Sequence, residues 1–173
     1  STGFLDGGRM WNDSVIECLR ACRQPEIGLA SFSLGRCSLA GSVDRRLVIE
    51  KLLPRIKYLS LAEREDAIAR LQHVCGVGDL PGNLMMGSDQ VREMHRAGME
   101  IGAHTVNHPI LTTLTPAEAE YEVAEGRRQL ESIIGAPVDM FAYPNGKPGR
   151  DYDHSHVALL QNLGFRGAVS TAP

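Results

Sequence analysis

Nothing in this chain of 173 residues supplies a membrane span. No apolar run approaches the ~20 residues that a bilayer-crossing helix requires, and no charged region followed by an apolar one opens the sequence. An excess of charge of one sign is also missing. The 18 basic and 21 acidic residues are interspersed and sum to a net charge of -3, so no basic stripe faces a phosphate backbone, and neither nucleic acid nor an anionic membrane is expected as a partner. Cysteine is sparse and unpatterned. Cys18, Cys22, Cys37 and Cys75 form no Cys-x-x-Cys pair, and the four-residue spacing of the first two places them on one helix face, where small buried reduced thiols are expected. Such thiols favour a reducing, cytoplasmic setting, although the sequence fixes no compartment. Internal repeats and low-complexity stretches are absent too. A starting methionine is lacking: Ser1 enters directly on Thr2-Gly3-Phe4-Leu5-Asp6-Gly7-Gly8, which reads as a loop already in progress, so the true N-terminus is expected elsewhere.

What is present is a hydrophobic content of 43%, enough for a chain of this length to bury about two-thirds of its unfolded surface as one globular unit. Its first half, residues 1–87, reads as a helical and loop region. Trp11 to Arg23 is a helix with Val15, Ile16, Leu19 and Cys22 on one face, with Asn12 or Asp13 able to cap it and Pro25 ending it. Glu26 to Ser42 suggests a short hairpin or excursion loop. Asp44 to Ile56 and Leu61 to Val74 are two further helices, whose charged residues between Arg64 and Arg70 are read as a solvated face.

From residue 88 to 173 the pattern changes to alternating strand, loop and helix. Ser88 is expected to cap a helix ending near Gly98. Strands are expected at Met99 to His104, Met140 to Tyr143 and Arg166 to Ser170, with helices at Thr115 to Ile134 and Asp153 to Leu163. The first of these helices carries a capping box, Thr115 with Glu118, a proline at its first position, and Gly135 then Pro137 at its end. Such βαβ order implies parallel strands in an α/β fold.

In folds of this kind reactive residues sit where strands end. One such loop is Gly102-Ala103-His104-Thr105-Val106-Asn107-His108-Pro109, and two neutral imidazoles at this spacing can share a divalent ion at ~2 Å. Spacing alone favours the plainer reading, a hydrogen-bonded core histidine at 104 and a loop residue at 108. A second loop, Tyr143 to Tyr152, is dense in glycine and proline and brings backbone close to whatever occupies the cleft, with N–H groups such as that of Asn145 facing an oxyanion. His154 and His156 diverge on a helix start and are expected in solvent, while His73 and His95 at helix ends are expected to be surface or capping residues. Arg150 with Asp151 reads as a surface pair, and Trp11 as a first-helix anchor rather than a sugar-stacking ring.

Together, the loops resemble a known family. Glu100-Ile101-Gly102-Ala103-His104-Thr105-Val106-Asn107-His108-Pro109 is similar to the H-[ST]-x-x-H motif of the NodB-homology polysaccharide deacetylases of carbohydrate esterase family 4. Phe141-Ala142-Tyr143-Pro144-Asn145-Gly146 resembles their third motif, and Gly164-Phe165-Arg166-Gly167-Ala168-Val169-Ser170-Thr171 the segment that follows. The resemblance spans Ser88 to Thr171, in order and with matching spacing. It implies a deformed (β/α) barrel, here partial and with an extra helical insert, and hydrolysis of N-acetyl groups on an acetylated polysaccharide or oligosaccharide. It also implies a divalent metal, with zinc the expected ion, held by His104 and His108. The backbone amide of Asn145 becomes the oxyanion donor, and Tyr143 and Pro144 line the groove.

The departures are equally specific. The family's Asp-Asp motif supplies one metal ligand and one general base, but no Asp-Asp pair occurs in this sequence, and Asp6 precedes two glycines with no strand before it. The arginine that commonly opens the third motif is replaced in its neighbourhood by Val138, Asp139 and Ala142. The chain stops before the final leucine-x-x-histidine motif. The expectation is therefore a domain piece with no catalytic base or acid of its own and no turnover in isolation. The rival from another class is a non-catalytic carbohydrate-binding or regulatory domain on the same scaffold.

Overall fold

Three helices shape the residues from Arg9 to Leu84, one of two compact units into which the chain divides. In the computed structural model, which describes residues 1–172, α1 (Trp11–Ala21) buries Val15, Cys18 and Leu19. Helix α2 (Ser42–Lys57) buries Val48, Leu52 and Ile56, and α3 (Leu61–Cys75) buries Ala67, Leu71 and Cys75. Each set recurs every three or four residues, so each helix turns one apolar stripe inward. With Ile27, Leu29 and Leu39 these stripes make a single core. Between α1 and α2, β1 (Glu26–Gly28) and β2 (Arg36–Ser38) pair antiparallel, the hairpin that the sequence suggests.

Two expectations for this unit are corrected. Neither Asn12 nor Asp13 caps α1. Met10 occupies the cap, and the Ser14 hydroxyl donates back to its carbonyl. Arg64 is not on a solvated face: it is 3% exposed, with its guanidinium 5.3 Å from the Trp11 ring centre. An arginine suits such a place because its planar, weakly hydrated head stacks on an aromatic face. Trp11 is packed against the core, as expected.

The other unit joins residues 1–8 to 85–172. It contains α4 (Ser88–Arg96), α5 (Pro116–Ile134), β3 (Met140–Ala142), α6 (His154–Asn162) and β4 (Gly167–Val169). Strands β3 and β4 pair in parallel, with Phe141 opposite Ala168, and α6 is the crossover between them. Along the other edge of β3, Ala103 donates to Met140 and accepts from Ala142, a parallel bridge. Phe141, Val123, Val138, Leu111 and Ala103 form the centre of its core.

The strand expected over Met99 to His104 reduces to this one bridge at Ala103. Met99 is 53% exposed and glycines stand at 98 and 102, so only one residue gains a ladder partner and a buried side chain. The fold is mixed α/β, and the sheet among the described residues is open rather than closed into a barrel. Ser88 is the first helical residue of α4 rather than its cap. The Asp6 carboxylate accepts its backbone N–H at 2.7 Å and its hydroxyl at 2.5 Å. By contrast, α5 starts and stops as its sequence dictates, on the Thr115–Glu118 box and at Gly135, whose φ is 69°. No helix among the described residues is long and apolar enough to cross a membrane.

Candidate functional site

Three loops leave the carboxy ends of the parallel elements: residues 104–109 after the Ala103 bridge, 143–152 after β3, and 170–172 after β4. Side chains and carbonyls at this edge project past the last ladder bond, which is why chemistry gathers there. The second and third are bonded to each other. Tyr143 N–H donates to Val169, Thr171 N–H to Gly146, and the Thr171 hydroxyl to the Asn145 carbonyl at 2.8 Å. Asn145 has φ 61° and Gly146 φ 69°, a tight reversal, and a side chain at Gly146 would stand 2.8 Å from the Thr171 nitrogen.

The structure brings His104 and His108 together. Their ring centres are 4.7 Å apart with the planes at 69°, edge to face, and both side chains are partly exposed. His104 Nδ1 lies 2.7 Å from the carbonyl oxygen of Ala142, which leaves Nε2 as the nitrogen available to a ligand. Burial pushes the His104 imidazole below its ordinary pKa of 6.5. The bond to Ala142 opposes that shift. The ring is therefore neutral at pH 7, the form that a metal requires.

Sequence reasoning missed the parts that shape this loop. Thr105 and His108 both have positive φ, 60° and 52°, so the chain reverses between the histidines. The Thr105 hydroxyl, fully buried, donates to the His104 carbonyl and accepts the His108 N–H at 3.1 Å. From α5, the Glu122 carboxylate accepts the N–H groups of Val106 and Asn107 and the Asn107 side-chain amide, at 2.7 to 2.9 Å. A signal was present in the sequence. Glu122 falls within the inward stripe Ala119, Val123, Gly126, Leu130 of α5, and a carboxylate among apolar positions is buried only when it has partners.

Other residues stand apart from the histidine pair or inside the core. Tyr143 is 7% exposed and stacked on Tyr152 at 3.7 Å, and burial raises its phenol pKa to about 12. Pro144 is buried beside it. Asp151, expected on the surface, is fully buried and accepts the Lys147 N–H. His156 is 8% exposed, with Nδ1 2.8 Å from Asp153, and only His154 is in solvent. The reason is the capping box at the start of α6: His156 is its third helical residue and turns inward to meet Asp153. His73 is exposed and His95 partly so.

A family described as polysaccharide deacetylase matches residues 65–168, more than half of the chain, including the histidine loop and the loop after β3. This chain belongs to the polysaccharide deacetylase family. Among relatives, it is 26% identical over 85 residues to the Bacillus subtilis (strain 168) protein named "Putative polysaccharide deacetylase YxkH", covering 49% of this chain and 29% of that one. It is 32% identical over 68 residues to the uncharacterized protein YlxY of the same organism, covering 39% and 21%. A solved polysaccharide deacetylase from Bacillus cereus aligns with TM-score 0.44 and 27% identity over 51% of this chain and 26% of that one. The matches thus span less than a third of each relative's length.

As for the metal that the family implies, the donor chemistry fits in part. Two neighbouring imidazoles, one with its tautomer set by a carbonyl, are nitrogen donors of the kind that zinc takes. Among the described residues no group of three His, Cys, Asp or Glu side chains is arranged to hold an ion. Asp6, the nearest thing to the family's aspartate motif, is engaged at the start of α4.

Proposed function

We propose that this chain is the part of a metal-dependent polysaccharide deacetylase domain that carries two metal-binding histidines and one wall of the substrate groove. The supporting observation is the pairing of His104 with His108 at the strand ends, with His104 Nδ1 held by Ala142. His104 and His108 would hold a divalent ion, with zinc the best match to imidazole donors among common hydrolytic metals. When bound, such an ion polarises an acyl carbonyl and makes bound water more acidic.

The chain's own residues then have distinct tasks. His104 presents a neutral ring nitrogen, and the His108 ring stands beside it. Asn145, on a reversed backbone, offers its N–H toward the oxyanion of an N-acetyl group. Tyr143 and Pro144 stiffen the groove wall from within, since the Tyr143–Tyr152 stack fixes the start and end of the same loop. The third metal ligand, the general base and the general acid come from outside this chain, so the isolated chain is inactive.

Acetate release from N-acetylglucosamine oligomers by the parent protein tests the reading. The release should require zinc or cobalt and vanish in His104→Ala and His108→Ala, with folding intact by circular dichroism. Metal-independent release, or full activity in either variant, would remove these histidines from the reaction.

A further inference from the structure

Glu122 stands one helix turn from Gly126 on the face of α5 that meets the histidine loop. A side chain at Gly126 would lie 2.9 Å from the Thr105 carbonyl carbon, so this helix approaches the loop backbone more closely than any other residue would permit. In that gap the Glu122 carboxylate, 2% exposed, receives three donors: two consecutive backbone N–H groups and the Asn107 amide. Both of its oxygens are used. Directed inward at the loop, it is not placed as a ligand, and no described cluster of three ligand-type residues includes it.

We propose that Glu122 is the positioning residue that holds the loop in the form that pairs His104 with His108, an inference that rests on the metal reading above. Residues 106 and 107 are the centre of the reversal that Thr105 and His108 bracket with positive φ. Consecutive N–H groups pointing to one side form a concave, electropositive nest that an anion stabilises. Here the anion is built in. The carbonyls of the same loop face the other way, where Thr105 accepts from the Thr2 N–H and Val106 from the Gly3 N–H. Without the carboxylate, the two inward N–H groups lose their acceptors, and the turn has no reason to keep two non-glycine residues in the left-handed region. Loss of orientation by a ligand's supporting group typically weakens metal binding about 10- to 100-fold.

Four proteins test this: the wild type, Glu122→Ala, Asn107→Ala, and Thr115→Ala as a stability control that removes the α5 cap away from the loop. Amide hydrogen exchange at Val106 and Asn107 reads positioning without metal. Zinc titration by calorimetry, alongside His104→Ala, reads its consequence. Alanine is used at 122 because the side-chain oxygen of a glutamine would still accept both N–H groups, which share one carboxylate oxygen. The expected result is fast exchange at both amides and at least tenfold weaker zinc binding in Glu122→Ala, with unchanged exchange and affinity in Thr115→Ala. Asn107→Ala keeps the carboxylate and both backbone bonds and should stay protected at residue 106; fast exchange there would show that the side-chain amide, not the carboxylate, holds the turn, and this decides the matter should Glu122→Ala not fold. If wild-type zinc binding is insensitive to His104→Ala, the metal reading fails while the exchange result still decides positioning. Unprotected amides in the wild type, or unchanged protection in Glu122→Ala, would overturn the proposal, as would equal zinc loss in Thr115→Ala.

Discussion

The Ala142 carbonyl oxygen sits 2.7 Å from Nδ1 of His104. A carbonyl only accepts, so Nδ1 carries the hydrogen and Nε2 the lone pair. The backbone of β3 thereby selects the tautomer of a side chain 38 residues away.

Nitrogen-15 spectra of the histidine side chains should therefore show His104 neutral at pH 7 as the Nδ1–H tautomer. The Nε2–H tautomer as the dominant form would mean that the Ala142 contact does not exist in solution. Added zinc should perturb Nε2 and leave the Nδ1–H bond in place.

Gly126→Ala sets two effects against each other. Alanine is the better helix former by about 1 kcal/mol, which alone would stabilise α5. A methyl group there would meet the Thr105 carbonyl carbon at 2.9 Å and its oxygen at 3.1 Å, and overpacking against backbone typically costs about 1–3 kcal/mol. The steric term is the larger, because the obstacle is main chain locked by Glu122 and the Thr105 hydroxyl. Urea unfolding should show a net loss of stability. A gain would show that α5 and the loop are further apart than this packing requires.

How much of this was legible beforehand follows physical lines. The bounds of α5 were readable to the residue because Thr115, Pro116, Glu118 and Gly135 act locally, on their own backbone. The histidine pair was readable through its motif, but its geometry was not, because that depends on Ala142 and Glu122, whose contacts with this loop span 38 residues and 15 or 16 residues. Met99 to His104 reads as a strand from its apolar residues, yet a strand exists only where a neighbour supplies hydrogen bonds, and only Ala103 has one. Arg64, Asp151 and His156 were placed in solvent by their chemistry. Each is buried because a specific partner or ring receives it, and a sequence pattern does not display such partners.

Helix capping predicts the acid response. Bonds from Ser155 and His156 hold the Asp153 carboxyl down to about 2, and the Thr115 backbone and hydroxyl lower Glu118. A carboxylate whose folded pKa lies below its unfolded value adds stability that is complete above the unfolded value and disappears as pH falls through the folded one. For Asp153 that window runs from 3.8 down to about 2. Thermal unfolding followed by circular dichroism should lose midpoint temperature across this range, and Asp153→Asn should flatten the slope. An unchanged slope in the variant would remove Asp153 from the acid response.

Cysteine reactivity should follow burial rather than sequence order. Burial pushes the Cys18 thiol up to about 11 and Cys75 to about 12, and Cys18, Cys22 and Cys75 are all at most 3% exposed. The thiolate is the species that attacks an alkylating agent, so at pH 8 roughly one Cys18 in a thousand and one Cys75 in ten thousand would be reactive even if reagent could enter. Cys37, on β2 at the rim of the core, is partly exposed, and its thiol makes only a weak contact with the Leu34 carbonyl. Brief iodoacetamide treatment of the folded chain, followed by peptide mass analysis, should therefore find the label on Cys37 alone. The other three should react only after unfolding in denaturant, and together, because they belong to one packed core of α1 and α3. Early labelling of Cys22 or Cys75 in the native chain would show that the α1–α3 interface opens under native conditions, contrary to its burial in this fold.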